Sequence, residues 1–137
     1  MRSFEKSFKV YFGDTDAAGV VYHGKYIYWL EAARIDFLDE LGCSYKLLQE
    51  NNIGLMPIDI SIQYLKPLKF SDEFIIKVYL HAITKASVSI KSEFVFQDKI
   101  INNSIVKLVC INEKTWKPIK LPDYLLSSLK NKKVDNY

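Results

Sequence analysis

The chain has 137 residues, 49% of them apolar and 26% charged, with a formal net charge of +3. These are ordinary values for a soluble globular protein of one domain, long enough to bury a real core. The mild positive charge fits an anionic ligand but is too weak to argue for nucleic acid.

No basic stretch followed by an apolar run opens the chain, and no apolar run approaches a membrane span. The expectation is a cytoplasmic protein with no membrane segment. Cys43 and Cys110 lie far apart and neither sits in a Cys-x-x-Cys pair. Both are expected to be reduced and partly buried.

In chain order, Phe8, Val10 and Phe12 alternate with Lys9 and Tyr11, which predicts a half-buried strand ended by Gly13. A helix is predicted from about His23 to Leu41. Tyr26, Trp29, Leu30, Ala33, Phe37, Leu38 and Leu41 recur at helical spacing along it. Gly42 is placed as its C-terminal cap. Ser44 to Asn51 reads as a short helix with Ser44 as N-cap.

From Leu55 the period changes to two. Ile58, Ile60, Ile62 and Tyr64 form one alternating set, closed by Pro67. Phe74, Ile76, Val78 and Leu80 form a second. Val88, Ile90, Phe94 and Phe96 form a third, with Ser92 as an exception on that face. A turn at Asp98 and Lys99 leads to a fourth run, about Ser104 to Asn112, containing Val106, Leu108 and Cys110. Four strands with short polar connections suit an antiparallel meander. Trp116 to Pro118 reads as a turn, Leu121 to Leu129 as a short helix, and the chain from Lys130 onward as a frayed tail.

One helix cannot cover both faces of such a sheet. The uncovered face or an edge is expected to pair with another copy, as a homodimer or homotetramer.

The chemistry concentrates between Tyr11 and Tyr26. This stretch holds Asp14, Thr15 and Asp16, then Gly19, then His23 and Gly24 at the start of the long helix. Free N–H groups at a helix start can polarise a carbonyl oxygen. A nearby carboxylate can attack that carbonyl or activate water against it. Asp16 can equally be a turn aspartate holding its own loop.

Other Asp-x-Asp chemistries fail on specific residues. A calcium loop requires Asp or Asn where Ala18 stands and Glu where Lys25 stands. An Asp-x-Asp phosphotransfer loop requires Thr or Val at Ala18. There is no Gly-rich phosphate loop and no nucleophile elbow. With only His23 and His81 as histidines, no zinc site is expected.

The stretch from Phe12 to Tyr22 (FGDTDAAGVVY), followed by Tyr26 and then Trp29 to Arg34 (WLEAAR), resembles the signature of the 4-hydroxybenzoyl-CoA thioesterase family. Within that family it looks most like the hydrolases of 1,4-dihydroxy-2-naphthoyl-CoA in phylloquinone (vitamin K1) synthesis. The resemblance implies an α+β hot-dog fold, an antiparallel five-stranded sheet wrapped around one long helix. It implies an acyl-CoA substrate and no cofactor. Asp16 takes the catalytic position, with Asp14 as its supporting neighbour. The backbone N–H groups of His23 and Gly24 take the thioester oxygen, with the His23 ring as a general base the alternative.

Glu31 matches a position where relatives acting on hydroxyaryl substrates carry an acid. It could equally pair with Arg34, three residues on. Tyr26, Tyr28 and Trp29 could stack on an aromatic acyl group or belong to the core. Lys85 and Ser87 match a region that contacts the CoA phosphates, with Lys66 and Lys69 as secondary candidates. Each lysine could also be a solvated turn residue. Cys43 has no apparent base partner.

Overall fold

The computed structural model describes residues 3–134. In chain order the elements are β1 (Phe4–Lys9), a single 3-10 turn (Phe12–Asp14), α1 (His23–Glu40), α2 (Tyr45–Glu50), β2 (Ile53–Tyr64), β3 (Glu73–Ile83), β4 (Ser87–Phe96), β5 (Lys99–Asn112), β6 (Lys117–Pro118) and α3 (Asp123–Val134). All strands pair antiparallel in one sheet of order β1-β3-β4-β5-β2, with β6 joined to β5. No helix among the described residues is long and apolar enough to cross a membrane.

The long helix forms where its apolar spacing places it. All seven predicted face residues of α1, from Tyr26 to Leu41, are buried. Its end is set by Gly42, whose φ of 81° lies in the left-handed region that glycine enters freely. Ser44 then caps α2, its hydroxyl accepting from the Leu47 N–H at 3.0 Å. The buried face of α1 packs mainly across β3 and β1. Phe4 meets Phe37 there, and Trp29 meets Phe8 and Phe74. This is the α+β hot-dog layout that the resemblance implies.

Five details differ from the sequence reading. First, β1 starts earlier and stops at Lys9. The Asp14 carboxylate takes the Tyr11 N–H at 2.9 Å, removing a donor that a continuing strand would use. Gly13 therefore lies inside the 3-10 turn, and Phe12 is exposed, stacked on Phe70.

Second, only β3, β4 and β5 form a meander. β2 crosses over and pairs with β5, because β1 already occupies the free side of β3.

Third, the hairpin turn sits at Gln97 and Asp98, both with positive φ, so β5 begins at Lys99 and is longer than expected. Fourth, the turn near Trp116 is centred earlier. The Asn112 side chain accepts from the Lys114 and Thr115 N–H groups, which frees Lys117 and Pro118 to pair with β5 as β6.

Fifth, at the C-terminus, buried Leu121, Leu125 and Leu129 dock α3, and the helix continues to Val134 instead of fraying at Lys130. The expected tail beyond it lies outside the described residues.

Register builds the inner face of the sheet row by row. Tyr64, Asn102, Phe94 and Ile76 lie side by side across β2, β5, β4 and β3. The next row holds Ile62, Ser104, Ser92 and Val78, and the one after it Ile60, Val106, Ile90 and Leu80. Ser92, the exception in its alternating set, thus faces Ser104 in the middle of the sheet, and both are buried. The β2 end of each row is less covered: Ile60 is 41% exposed and Tyr64 47%.

Candidate functional site

The segment between β1 and α1 is a closed loop. Thr15 and Val21 form an antiparallel bridge, and the Asp16 N–H donates to the Val20 carbonyl at 2.9 Å. Inside it, the Asp16 carbonyl accepts from the Gly19 N–H and Asp16 Oδ1 accepts from the Ala18 N–H, both at 2.9 Å. This is the Asx turn of the conservative reading. It also fixes the carboxylate. One oxygen is held by the turn, while Oδ2 takes no hydrogen bond among the described residues.

The loop is anchored to the body on its far side. The Val21 N–H donates to the Leu68 carbonyl at 2.9 Å, and Val20 bridges to Lys69. Asp14 carries the rest of the anchoring. Its carboxylate binds the Tyr11 N–H and lies 3.1 Å from Lys25 Nζ. Its carbonyl accepts from the Tyr22 N–H at 3.3 Å. With both carboxylate oxygens occupied, Asp14 supports the loop and Asp16 is the carboxylate with an oxygen to spare.

A cleft of about 340 Å³ opens where this loop meets the start of α1, lined by Asp16, His23, Tyr26, Tyr64, Lys66 and Pro67 among others. His23 is the first residue of α1. The first N–H groups of any α-helix lack intrahelical acceptors. The Lys25 N–H turns back to the Tyr22 carbonyl, whereas those of His23 and Gly24 have no acceptor among the described residues. They are two free donors at the positive end of an 18-residue helix dipole.

Gly24 keeps that end narrow. A Cβ there would stand 2.6 Å from the Tyr22 ring, which lies against the first turn. The His23 ring is exposed and makes no hydrogen bond among the described residues.

Tyr26 and Tyr64 form the inner wall. The Tyr26 hydroxyl accepts from the Leu68 N–H at 3.2 Å, and the Tyr64 hydroxyl donates to the His23 carbonyl at 3.0 Å. Burial pushes the Tyr26 phenol up, against a smaller lowering by the Leu68 N–H, and burial likewise raises Tyr64. Both remain neutral donors at physiological pH.

The remaining sequence candidates scatter. Trp29 is 4% exposed and its ring packs on Phe8, Tyr26 and Phe74, inside the core. Glu31 points to solvent, 4.0 Å from the guanidinium of buried Arg34. Lys85 and Ser87 lie in and beside the β3–β4 turn, where the Ser87 and Thr84 hydroxyls bond each other at 2.7 Å. Ser87 is seven residues along β4 from Phe94, which touches Tyr26. At about 3.3 Å per residue that is roughly 23 Å, so one chain does not bring Lys85 to its own Asp16.

Lys66, a secondary candidate, does line the cleft, while the Lys69 N–H is tied to Asp72. Cys43 is fully buried, and burial raises its thiol, against a smaller effect of Ser128, so it is a poor nucleophile. Tyr64 is the wall residue that sequence reasoning missed. It read only as one more member of an alternating strand.

Residues 10–129 match the thioesterase-like superfamily. The acyl-CoA thioesterase YbgC of Haemophilus influenzae is 27% identical over 115 residues, covering 83% of this chain and 85% of that protein. The 1,4-dihydroxy-2-naphthoyl-CoA hydrolase of Nostoc punctiforme is 26% identical over 141 residues, covering 97% and 90%. Among solved structures, a gentisyl-coenzyme A thioesterase superposes with a TM-score of 0.86 at 28% identity, covering 92% of this chain and 99% of that one. The chain belongs to the thioesterase-like superfamily of hot-dog proteins.

Proposed function

We propose that this chain hydrolyses acyl-CoA thioesters in the cleft between Asp16 and the start of α1. One observation carries the reading. A carboxylate with a free oxygen and two unused helix N–H groups line or adjoin one small cleft. The thioester oxygen accepts from the His23 and Gly24 N–H groups, which stabilise the charge that develops on it. Asp16 attacks the carbonyl carbon, or takes the proton of a water that does. The C–S bond breaks and CoA leaves as thiolate; in the first route water then hydrolyses the acyl–Asp16 anhydride to free the acid, and in the second the added water has already supplied the acid's oxygen. A binding module without turnover has no need of a free carboxylate oxygen at that point.

For the acyl group we infer an aromatic one, with 1,4-dihydroxy-2-naphthoyl-CoA of phylloquinone synthesis as the first candidate. The aromatic wall of Tyr26 and Tyr64 supports this, as do the hydroxyaryl acyl groups named for two of the similar proteins. 4-Hydroxybenzoyl-CoA and short acyl-CoA esters are the alternatives. Release of CoA thiol from a panel of aryl and alkyl esters tests the assignment. A preference for alkyl esters overturns it.

Glu31 lies exposed on α1 and is not among the residues lining this cleft, so we propose that it contributes little to that preference. An exposed pair at 4.0 Å is screened by solvent. Glu31→Gln is expected to change kcat/KM by less than about threefold, equally for hydroxylated and unhydroxylated aryl esters. A loss confined to hydroxylated esters would return Glu31 to the substrate.

The assembly we propose is a homodimer or homotetramer, with residues reaching each cleft from a second copy. β2 is an open edge, and Ile58, Ile60 and Tyr64 along it, with Leu65 just after it, are all more than 40% exposed. Lys85 is proposed to meet the CoA phosphates at the far end of the pantetheine arm, in its own chain or in such a second copy. Light scattering at micromolar concentration is expected to give a multiple of the 15.9 kDa chain mass. A monomer would contradict it.

A further inference from the structure

We propose that Asn102 and Ser104 form a polar subsite for a hydroxyl or keto substituent of the acyl group, beneath the Tyr26–Tyr64 wall of the cleft. The proposal rests on the hydrolase reading above and specifies where its specificity resides.

The first observation is an unpaired amide. Asn102 is fully buried, and neither its Nδ2 nor its Oδ1 has a hydrogen-bond partner among the described residues. Ser104 Oγ, two residues along the same face of β5, is likewise buried and unpaired. Buried polar groups are nearly always satisfied, since leaving water without a new partner is costly. A leucine or valine would fill the same space without that cost. Two neighbouring residues of this kind, beside buried Ser92 on a sheet face that is otherwise apolar, therefore point to a polar partner that the chain itself does not supply.

The second observation places them at the cleft. Asn102 lies between Tyr64 and Phe94 in the same cross-strand row. The Tyr26 ring contacts both flanks of that row, 5.2 Å from the Tyr64 ring and 5.4 Å from the Phe94 ring. Tyr26 and Tyr64 both line the cleft that contains Asp16. Asn102 thus sits directly behind the wall of the proposed active site, and Ser104 one row deeper.

Tyr64 provides the way in. It belongs to an edge strand, is 47% exposed, and a single hydrogen bond to the His23 carbonyl holds its hydroxyl. Displacement of that ring would let an acyl group held by its thioester near His23 present its distal substituent to the Asn102 amide. The amide both donates and accepts, so it serves a hydroxyl or a keto oxygen equally. A site built to hydrogen-bond a substituent discriminates strongly against the analogue lacking it.

The test compares matched esters: 4-hydroxybenzoyl-CoA with benzoyl-CoA, and 1,4-dihydroxy-2-naphthoyl-CoA with 2-naphthoyl-CoA. Wild type is expected to favour the hydroxylated member of at least one pair. Asn102→Leu is expected to lower kcat/KM for that member by at least about tenfold and to leave the unsubstituted ester within about threefold. Ser104→Ala, a smaller change, moves in the same direction by at least about threefold and carries the comparison if Asn102→Leu does not fold. Equal changes on both esters in the folded variants assign the pair to a structural water and overturn the subsite, leaving hydrolysis intact. No preference in wild type overturns it too. Failure of wild type to hydrolyse any ester overturns the hydrolase reading itself, and the subsite with it.

Discussion

Asp16→Asn is expected to lower kcat by at least about two orders of magnitude while leaving substrate binding within a few-fold. The substitution keeps the shape of the side chain. Its amide oxygen can still accept from the Ala18 N–H, so the Asx turn survives. What is lost is the free Oδ2, the only part of the loop that can attack a carbonyl or take a proton from water. The loop has independent supports at Asp14, Val20 and Val21, which keeps a folding failure from imitating a catalytic one. Steady-state kinetics together with unchanged thermal unfolding would separate the two. Near-normal turnover in a well-folded Asn variant ends the mechanism.

Trp29→Ala is expected to destabilise the fold by about 3–5 kcal/mol, the range for truncating a large buried aromatic. The indole is 4% exposed and is the hub between β1, α1 and β3, through Phe8, Tyr26 and Phe74. Its removal leaves a cavity where the helix meets the sheet, directly behind Tyr26. Urea unfolding is the measurement. Wild-type stability combined with a raised KM for aryl esters would instead place Trp29 against substrate, as one of its two sequence readings had it.

What was legible in advance was local. The helix from His23 to Leu41 follows from seven apolar residues on one face, and all seven are buried. Its end follows from Gly42 and the next helix from Ser44, because caps act within a turn of the chain. The Asp16 loop was legible as a density of short-range features between Phe12 and Arg34.

What was not legible depends on residues distant in sequence. Ile58, Ile60, Ile62 and Tyr64 alternate in the same way whether their strand lies between two others or at an edge. Only pairing with β5 shows β2 to be an edge. Phe12 continues an alternation that the Asp14 side chain breaks by taking the Tyr11 N–H. Lys85 is separated from Asp16 by most of the length of β4, a distance that no spacing in the chain announces. Ser92 stood out as a polar residue in an apolar set. Its cross-strand neighbour Ser104, and Asn102 beside it, become meaningful only once register places them in one patch behind Tyr64.

The central claim is that a cleft built around one carboxylate and one helix start cleaves CoA thioesters. The most direct measurement is CoA thiol release by the purified wild-type chain from an aryl-CoA ester, with the uncatalysed rate subtracted. The account predicts saturable turnover with kcat/KM of at least about 10⁴ M⁻¹s⁻¹ for one or more aryl esters. Release no faster than the uncatalysed reaction, from a folded protein across the whole panel, would contradict it.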